Sequence, residues 1–454
     1  MATAVAQPLV RPAEAPAGAL PRGPRVPPIV QTLVWALAPT WVLDQCARRY
    51  GDTFTLTFGP SGRKLVVLSD PEAVKTVFTA PPEVAPSAAN ASPIAPIMGP
   101  NSVITLTGPE HMRQRKLLLP PFHGARMREY EDVIVQATRR SMADWPLGEP
   151  MKLSERTRTI TLEVILRAVF GVEAERMGAL RDAIAGLLKP AQMPALLLFA
   201  LRRPSEERPG GAIGRGLDHL DTVIYAEIAR RRTSQDLEQR TDILSLLLLA
   251  RDEDGFQMTD EELRDELVTL LLAGHETTAT AVAWAVERLV RHPSKLSRLV
   301  AEIDAGEGDE YMQAVISETL RVRPVVPMVV RVLQEPLRVG GRELPTGARV
   351  VPSIYLTNRN PRVYEAPNEF MPERFLDSSP ETFSWIPFGG GIRRCIGASF
   401  ATLEMKLILQ TILGELAPSL PTGGGRFSRR GEWNRRRAIT LVPSAGARVS
   451  WHRR

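Results

Sequence analysis

Cys395 lies in the stretch FGGGIRRCIG at residues 388–397, and the apolar run that follows it is typical of a helix. A thiol at the N-terminus of a helix meets unpaired N–H groups and the positive end of the helix dipole, which favour its thiolate form. Arg393 and Arg394 act in the same direction, and the glycines let the backbone approach a flat group closely. We therefore expect a rigidly held thiolate, as a haem iron requires of a cysteine ligand.

Less specific interpretations of Cys395 have to be weighed against this one. A single cysteine in a glycine-rich turn is usually an ordinary buried or surface thiol. Zinc is disfavoured, because the other cysteine, Cys46, lies in a distant helical stretch and the chain contains no C-x-x-C pair. Having only 2 cysteines in 454 residues also excludes a disulfide framework and favours a reducing cytosol.

A second group of reactive side chains lies at the middle of the longest predicted helix, residues 260–291. Acidic residues occupy its first turns, and Arg288 and Arg291 its last, as the helix dipole prefers. The helix would be roughly 45–50 Å long and apolar on all sides in its middle, so we expect it to cross the interior of the protein. The polar sequence A-G-H-E-T-T at residues 273–278 argues against a transmembrane helix, because polar groups are costly in lipid.

This polar sequence could deliver protons into a pocket that is sealed from water. Ala273 and Gly274 have almost no side chain, so that a bulky planar group could lie against them. The hydroxyl of Thr277 can bond back to the carbonyl of Ala273 and open a local groove. Burial would raise the pKa of the neighbouring Glu276, and the pair could then transfer protons. The alternative is a buried helix with a satisfied polar notch.

The elements that must position these residues are mostly helical. Periodicity predicts helices at residues 40–50, 71–79, 109–119, 126–145, 155–171, 175–190, 212–232, 260–291, 294–304, 309–322 and 398–415. Strand-like segments are residues 53–58, 65–69, 329–333, 349–355 and 438–442. We therefore expect a mainly α architecture, with small sheets at one side of a large helical body.

Two motifs of the chain closely resemble those of the cytochrome P450 family. The cysteine segment matches the haem-binding pattern F-x-x-G-x-R-x-C-x-G at every fixed position, namely Phe388, Gly391, Arg393, Cys395 and Gly397. Residues 273–278 match A-G-x-[DE]-T-[TS], which resembles the oxygen-activation segment of the family. The resemblance covers nearly the whole chain. It implies a cytochrome P450 fold, with a long central helix over a buried haem b.

The resemblance also implies roles for individual residues. Cys395 would bind the iron and push electron density onto it. Thr277 would stabilise the activated oxygen, Glu276 would help to relay protons, and Phe388 would limit the access of water to the sulfur. Cations would hold the two haem propionates. The cofactor-binding residues would be His111, Arg115, Ala273, Arg331, Phe388, Gly389, Arg393, Cys395 and Gly397. Taken singly, a surface histidine or arginine is the alternative for each of the four propionate ligands, His111, Arg115, Arg331 and Arg393.

Glu318 and Arg321 lie three residues apart and so share a helix face. The same spacing recurs elsewhere in the chain, where surface pairing is the better explanation. In the family, such a pair forms a buried ion network with an arginine of P-E-R-F, which is Arg374 here. A network of this kind is costly unless all of its members are paired. Asn358 stands where many relatives have a histidine, which leaves one local hydrogen bond open.

We expect the substrate pocket to draw on the long helix and on three mostly aliphatic segments, residues 89–106, 187–200 and 325–330. Its candidate lining residues are Met98, Met193, Leu272, Ala273, Val326, Pro327 and Met328. Aliphatic walls with flexible methionines favour a terpenoid, a fatty acid or a steroid-like molecule over a charged one. The same residues could equally form an ordinary helix-packing core.

The formal net charge of +6 and the pI near 9.5 raise the question of an anionic partner. The arginines are spread along the chain without a compact basic helix, so nucleic acid is disfavoured and an acidic protein is favoured. No flavin, iron–sulfur or nicotinamide motif is visible, so electrons from NAD(P)H must come from outside. We expect a ferredoxin and an NAD(P)H-dependent ferredoxin reductase, with the ferredoxin docking near Arg394 and Arg113.

The N-terminal residues 1–28 are rich in proline and predict an extended arm, followed by a single domain at residues 29–454. The start of the chain lacks the features of a secretory signal. The apolar run 29–38 is too short to span a bilayer, and Pro39 ends it. We expect a cytoplasmic, bacterial protein that is monomeric and has no transmembrane segment.

The function that the resemblance implies is the insertion of one oxygen atom from O2 into a hydrophobic substrate. Two alternatives remain open. One is a haem-thiolate isomerase, dehydratase or peroxygenase that does not activate O2, which the intact Glu276 and Thr277 disfavour. The other is a non-catalytic haem-binding protein, which the absence of a visible output module disfavours.

Overall fold

The computed structural model describes residues 20–454, except residues 90–91, 93, 125, 172–173, 192–208, 377–379 and 422–430. Helices make up most of this part of the chain. They are α1 Pro28–Leu37, α2 Pro39–Tyr50, α3 Pro71–Thr79, α4 Ala95–Met98, α5 Gly108–Leu118, α6 Arg126–Glu129, α7 Glu131–Met142, α8 Leu153–Phe170, α9 Ala174–Ala191, α10 Gly211–Arg232, α11 Ile243–Leu249, α12 Asp260–Leu289, α13 Pro293–Ala305, α14 Glu310–Val322, α15 Ile354–Thr357 and α16 Ala398–Glu415.

The strands form small separate sheets beside this helical body, which confirms the mainly α architecture. They are β1 Thr53–Phe58, β2 Arg63–Leu68, β3 Pro150–Lys152, β4 Arg331–Val332, β5 Leu337–Val339, β6 Arg342–Leu344, β7 Arg349–Pro352, β8 Leu416–Ser419, β9 Asn434–Arg437, β10 Thr440–Pro443 and β11 Arg448–Arg453. The largest sheet has the order β1-β2-β7-β4, in which β2 and β7 are parallel. A further sheet has the order β3-β11-β8, and two hairpins pair β9 with β10 and β5 with β6.

Helix α12 is the long central helix that the sequence predicts. It begins with a capping box, in which Thr259 and Glu262 satisfy each other's backbone N–H groups. Its 30 residues are about 45 Å long at the usual rise. It packs against α8, α10, α14 and α16, and most of its side chains are buried. The polar sequence at residues 273–278 therefore lies inside the protein.

The contact between α8 and α12 corrects one expectation about this polar sequence. Gly274 faces α8, because a Cβ atom at that position would lie 2.9 Å from Cδ1 of Ile165. Two hydroxyl groups of α8 also bind α12, Thr161 at the carbonyl of His275 (2.7 Å) and Thr157 at that of Ala279 (3.0 Å). The missing side chain of Gly274 thus allows two helices to approach each other, and it is not free to accept a flat group.

Several predicted elements differ from the structure for reasons of long-range packing. The single helix expected at residues 126–145 is two helices, α6 and α7, divided at Tyr130. Helix α11 was not predicted, because its sequence ILSLLLL is apolar throughout and has no helical period. Strands β3, β8 and β11 were also missed, because they pair with residues far away in the chain.

Residues 20–28, the described part of the predicted N-terminal arm, lie along β1. Thr55 donates its backbone N–H to the carbonyl of Arg22 (3.2 Å) and its hydroxyl to that of Pro21 (2.7 Å). Gly23 is required for this approach, because a Cβ atom there would lie 1.8 Å from the Thr55 oxygen. Residues 1–19 are outside the described part of the chain, and the division into arm and domain stays a prediction. No helix among the described residues is long and apolar enough to cross a bilayer.

Candidate active site

The loop before Cys395 is folded back on itself by backbone hydrogen bonds. The N–H of Cys395 donates to the carbonyl of Phe388 (2.9 Å), and that of Arg394 donates to Gly391 (3.1 Å). Gly389 and Gly391 have φ values of +71° and +63°, in the region that favours glycine. These contacts hold the thiol at the start of α16, as the sequence predicts.

Helix α3 packs so closely on this loop that two glycines of the loop have no room for a side chain. A Cβ atom at Gly391 would lie 2.1 Å from the carbonyl oxygen of Phe78, and one at Gly390 would lie 2.4 Å from its ring. The sequence analysis assigned the glycines to the approach of a flat group. The structure shows that Gly390 and Gly391 are needed first for the contact with α3.

The thiol of Cys395 has accessible surface although it lies deep within the protein. Burial raises its pKa, while the N–H of Gly397 and the charges of Arg394 and Arg115 lower it. Arg394 therefore favours the thiolate, as expected. In the protein alone, however, burial has the larger effect and raises the pKa of the Cys395 thiol. A bound metal ion reverses this balance, because a coordinating thiol is deprotonated.

A cluster of buried and partly buried basic side chains, the cation cluster, lies next to this loop. His111, Arg331 and Arg393 line one cavity together with Phe78, and Arg115 is close enough to influence both His111 and Arg393. His111 is 1% exposed and Arg331 is 7% exposed. The interpretation of these two residues as surface groups is therefore wrong.

The basic groups of this cluster lie close together with no carboxylate beside them among the described residues, so burial and mutual repulsion disfavour their charged forms. Burial, with the charges of Arg393, Arg115 and Arg331, lowers the pKa of His111 to about 3. Burial lowers the pKa of Arg331 to about 10, and burial with Arg331 and Arg115 lowers that of Arg393 to about 9. Among the described residues, none of the three arginines forms an ion pair with a carboxylate, and Nδ1 of His111 has no hydrogen-bond partner.

Such a cluster fits an anionic cofactor that carries more than one carboxylate. Buried charges are unfavourable unless they are paired, and two carboxylates would pair with several of these cations at once. Haem carries two propionates, so the residues around the cavity fit this group. Arg393 currently donates to backbone carbonyls of the segment before α5, at Val103 (3.0 Å), Ile104 (3.3 Å) and Leu106.

Thr277 makes the hydrogen bond that its position in α12 predicts. Its hydroxyl donates to the carbonyl of Ala273 at 2.6 Å. Leu272, Ala273 and Thr277 are all partly exposed, in a helix whose neighbouring turns are mostly buried. This part of α12 is therefore not fully covered by its neighbours, and the oxygen of the Thr277 hydroxyl can still accept a hydrogen bond.

Glu276 lies on another side of α12, against the β9–β10 hairpin and the start of α8. Its Oε1 is 3.2 Å from Nη1 of Arg437, and it lines a cavity of about 140 Å³ with Arg158 and Thr280. Burial raises its pKa, as the sequence predicts, while Arg437 and Arg158 lower it. Sequence reasoning missed both arginines, because they come close to Glu276 only through the tertiary fold.

The structure brings Glu318, Arg321 and Arg374 together in a buried network. Nε and Nη2 of Arg321 donate to the two oxygens of Glu318 at 2.6 and 2.8 Å, and both side chains are 0% exposed. Arg374 and the N–H of Met371 also donate to Glu318, at 3.3 and 2.7 Å. The side-chain oxygen of Asn358 accepts the N–H of Ile386 at 2.9 Å, whereas its side-chain nitrogen is buried without a hydrogen-bond partner. The local hydrogen bonding left open by the sequence is therefore satisfied only on the acceptor side of Asn358.

The predicted pocket residues divide into two groups. Leu272, Ala273, Val326 and Met328 are partly exposed, whereas Met98 is 4% exposed and Pro327 is also buried. Met193 and residues 192–200 lie outside the described part of the chain. Sequence reasoning missed Phe78 and the turn at residues 80–87, parts of which line the cavity of the cation cluster. The proline-rich sequence after a strongly amphipathic α3 is the signal that could have drawn attention to them.

The two arginines predicted to face a ferredoxin have different environments. Arg394 is exposed, next to the cysteine. Arg113 forms ion pairs with Asp252 (2.6 Å) and Glu262 (2.7 Å). These two carboxylates compensate its charge within the protein, which disfavours Arg113 as an attractive group for an acidic partner; docking near Arg113 stays a prediction.

Comparisons with known proteins agree with this geometry. The cytochrome P450 family model matches residues 21–429. A protein of Mycobacterium tuberculosis named provisionally as cytochrome P450 135B1 is 40% identical over 438 residues, which are 95% of this chain and 91% of that protein. Another from the same species, named provisionally as cytochrome P450 137, is 42% identical over 409 residues, which are 88% and 83% of the two chains.

Solved structures show the same fold. A retinoic acid-bound cyanobacterial CYP120A1 has a TM-score of 0.80 at 24% identity, covering 96% of this chain and 100% of that one. The haem domain of cytochrome P450DA has a TM-score of 0.80 at 23% identity, covering 96% and 98%. The family match over most of the sequence and the common fold lead to one conclusion: this chain belongs to the cytochrome P450 family.

Proposed function

We propose that the protein is a monooxygenase that inserts one oxygen atom from O2 into a terpenoid, fatty-acid or steroid-like substrate. Members of the family bind haem b and use O2 for monooxygenation. The observation that carries the proposal is the position of the Cys395 thiol beside a cluster of basic side chains that have no carboxylate partner among the described residues. When bound, the haem would supply the chemistry that activates O2.

The residues of this chain would hold the cofactor through its iron and through its carboxylates. Cys395 would ligate the iron, with the N–H of Gly397 donating to the sulfur. The cations would pair with the propionates, and the remaining candidates would shape the site with small or apolar side chains. This set consists of Arg115, Arg331 and Arg393 as cations and His111 as a hydrogen-bond donor, with Ala273, Phe388 and Gly389 as shaping residues.

Thr277 and Glu276 would manage protons from two sides of α12. The Thr277 hydroxyl donates to the helix, so its oxygen can accept a hydrogen bond from a water molecule. Glu276 would take protons from the cavity that it shares with Arg437, where burial keeps its pKa raised. We infer that protons pass between the two residues through water, because their side chains are on different sides of the helix.

The substrate class is inferred from the pocket walls. Leu272, Val326 and Met328 are partly exposed and aliphatic, as are Ile97 and Ile104. Walls of this kind bind a molecule by removing its apolar surface from water. We expect a ferredoxin and an NAD(P)H-dependent ferredoxin reductase as electron donors, and a monomeric cytoplasmic enzyme.

The experiment that tests the function is turnover with surrogate redox partners. Fatty acids, terpenes and steroids are screened for substrate-dependent consumption of NAD(P)H and for oxygenated product. The Thr277→Ala variant is compared under the same conditions, and we expect it to consume NAD(P)H while releasing peroxide in place of product. A matched control is Thr222→Ala, because Thr222 makes the same bond to the carbonyl four residues earlier (2.8 Å) on the exposed side of α10.

The outcomes separate the proposal from its alternatives. Product that contains an oxygen atom from O2 supports a monooxygenase. Rearranged or dehydrated product without O2 uptake, or turnover only with added peroxide, would identify an O2-independent enzyme. Unchanged coupling in Thr277→Ala would show that the assigned role of this hydroxyl is wrong.

A further inference from the structure

The segment at residues 97–106 begins with the last two residues of α4 and leads towards α5, and side chains of α12 attach it to the first turns of that helix. Asp265 accepts the backbone N–H and the side-chain amide of Asn101 at 2.9 and 3.0 Å. Glu266 accepts the N–H of Val103 at 2.7 Å. Two adjacent carboxyl groups thus bind two N–H groups of a non-helical segment, whose amides would otherwise be unpaired inside the protein.

The segment is shaped for this contact from its own side. Gly99 has a φ of +96°, and a Cβ atom there would lie 2.1 Å from Oδ1 of Asp265. Ser102 accepts the hydroxyl of Thr269, one turn further along α12, at 2.6 Å. Only glycine allows the Asp265 carboxylate to come so close, so the contact is built into both partners.

Arg264 extends the attachment to a third helix. Its Nη1 is 3.3 Å from the carbonyl of Met98, and its guanidinium is 2.7 Å from Asp221 of α10. It also donates to Asp265 at 2.8 Å. The segment is therefore fixed to α12 through Arg264, Asp265, Glu266 and Thr269, and Arg264 joins it to α10.

The same segment connects the aliphatic walls with the cysteine loop. Ile97 and Ile104 are partly exposed and pack on the main hydrophobic core, and Met98 is buried. At its other end, the carbonyls of Val103 and Ile104 accept the guanidinium of Arg393. Any movement of the segment away from α12 would displace these side chains.

We infer that Asp265 and Glu266 are positioning residues, which hold the 97–106 segment on α12 as a fixed wall of the substrate pocket and so set the affinity for long apolar ligands. The inference rests on the proposed function for the identity of the pocket. The two carboxyl groups themselves do not contact the substrate.

The charge states of the two carboxyl groups determine which substitutions are conservative. Burial raises the pKa of Asp265, and it raises that of Glu266 well above the usual value, with Asp265 and Glu262 acting in the same direction. The second oxygen of Glu266 has no hydrogen-bond partner. Glutamine is therefore the nearest mimic of Glu266, because its amide oxygen can still accept the N–H of Val103.

The first test is ligand binding to the haem-loaded protein. Imidazole reports access to the iron alone, whereas an imidazole with a long alkyl chain also has to fill the pocket. We expect Asp265→Ala and Glu266→Leu to weaken binding of the alkyl-imidazole about tenfold and to change imidazole binding less than about twofold. Glu266→Gln should restore the affinity, and Glu261→Ala, at an exposed position of the same helix, is the control.

The second test does not depend on haem, substrate or activity. Hydrogen exchange at the amides of Asn101 and Val103 should become at least about tenfold faster in Asp265→Ala and Glu266→Leu respectively, with other buried amides of α12 unchanged. Gly99→Ala should also speed exchange at Asn101, because it disturbs the same contact from the side of the segment. This variant replaces Asp265→Ala in the test if that variant does not fold.

Unchanged exchange at both amides would overturn the inference, and so would unchanged alkyl-imidazole affinity despite faster exchange. Failure of the proposed function would give a different result. The protein would show no monooxygenase turnover, while the variants would still exchange their amides faster and bind the alkyl-imidazole more weakly. In that case Asp265 and Glu266 are positioning residues, but the predicted reaction is wrong.

Discussion

Replacing Glu404 with glutamine should stabilise the folded protein at alkaline pH. Glu404 lies on α16 and is 1% exposed. Its Oε1 has no hydrogen-bond partner, and Thr278 of α12 provides its side-chain hydrogen bond. Burial raises the pKa of the carboxyl group from 4.5 to about 8, because the ionised form loses its hydration.

The magnitude follows from the difference in pKa between the folded and unfolded states. Below about pH 4.5 both states are protonated, and Glu404 does not make stability depend on pH. Between pH 4.5 and about 8 the unfolded chain ionises while the folded protein keeps its proton, so the free energy of unfolding falls as pH rises. The 3.5-unit difference between 4.5 and about 8, at about 1.36 kcal/mol per unit, amounts to about 5 kcal/mol.

The assay is urea unfolding of the haem-loaded protein, followed by circular dichroism between about pH 5 and pH 9. The Glu404→Gln variant cannot ionise at this position, and its amide oxygen can keep the bond from Thr278. We expect it to match the wild type near pH 5 and to exceed it by several kcal/mol near pH 9, whereas the exposed Glu343→Gln changes little. Curves that stay parallel over this range would show that Glu404 is not a buried neutral acid.

Two further predictions concern the ion network and the redox partner. Glu318→Ala leaves Arg321 buried without its carboxylate, so the free energy of unfolding in urea should fall by about 3–5 kcal/mol. The control is Glu155→Ala, which breaks an exposed pair of the same spacing with Lys152 and should change the free energy of unfolding little. Equal losses in the two variants would contradict a special role for the buried network. Arg394→Glu should reduce ferredoxin-supported turnover about tenfold at low salt, with a smaller effect at high salt, because it reverses an exposed charge beside Cys395. Exposed Arg342→Glu is the control, and equal effects of both changes would exclude docking near Arg394.

The parts of the fold that the sequence predicts well are those with strong local signals. Strand β1 and helices α3 and α16 have the predicted bounds, because the pattern of apolar residues is strong in each of them. The charged ends and the apolar middle of α12 likewise identify it as a long buried helix. The missed sheet of β3, β8 and β11 joins segments far apart in the chain, and no local pattern specifies such pairings.

The candidate site shows the same division between local and tertiary information. The bond from Thr277 to Ala273 depends only on helix geometry, and the sequence predicts it. The surroundings of three other residues depend on the tertiary fold. Glu276 is paired with Arg437 of the β9–β10 hairpin, Gly274 faces Ile165 of α8, and Arg113 is paired with Asp252 before α12. The side-chain type indicates which chemistry is available, and the tertiary fold decides where it is directed.

The most direct test of the account is the spectrum of the reduced protein with carbon monoxide, before and after replacement of Cys395. The wild type, supplied with haem, should show the red-shifted Soret band that a thiolate ligand gives to this complex. Cys395→Ala should lose that band, while Cys46→Ala, at the buried second cysteine, should keep it. A red-shifted band that persists in Cys395→Ala would contradict the assignment of this sulfur to the iron.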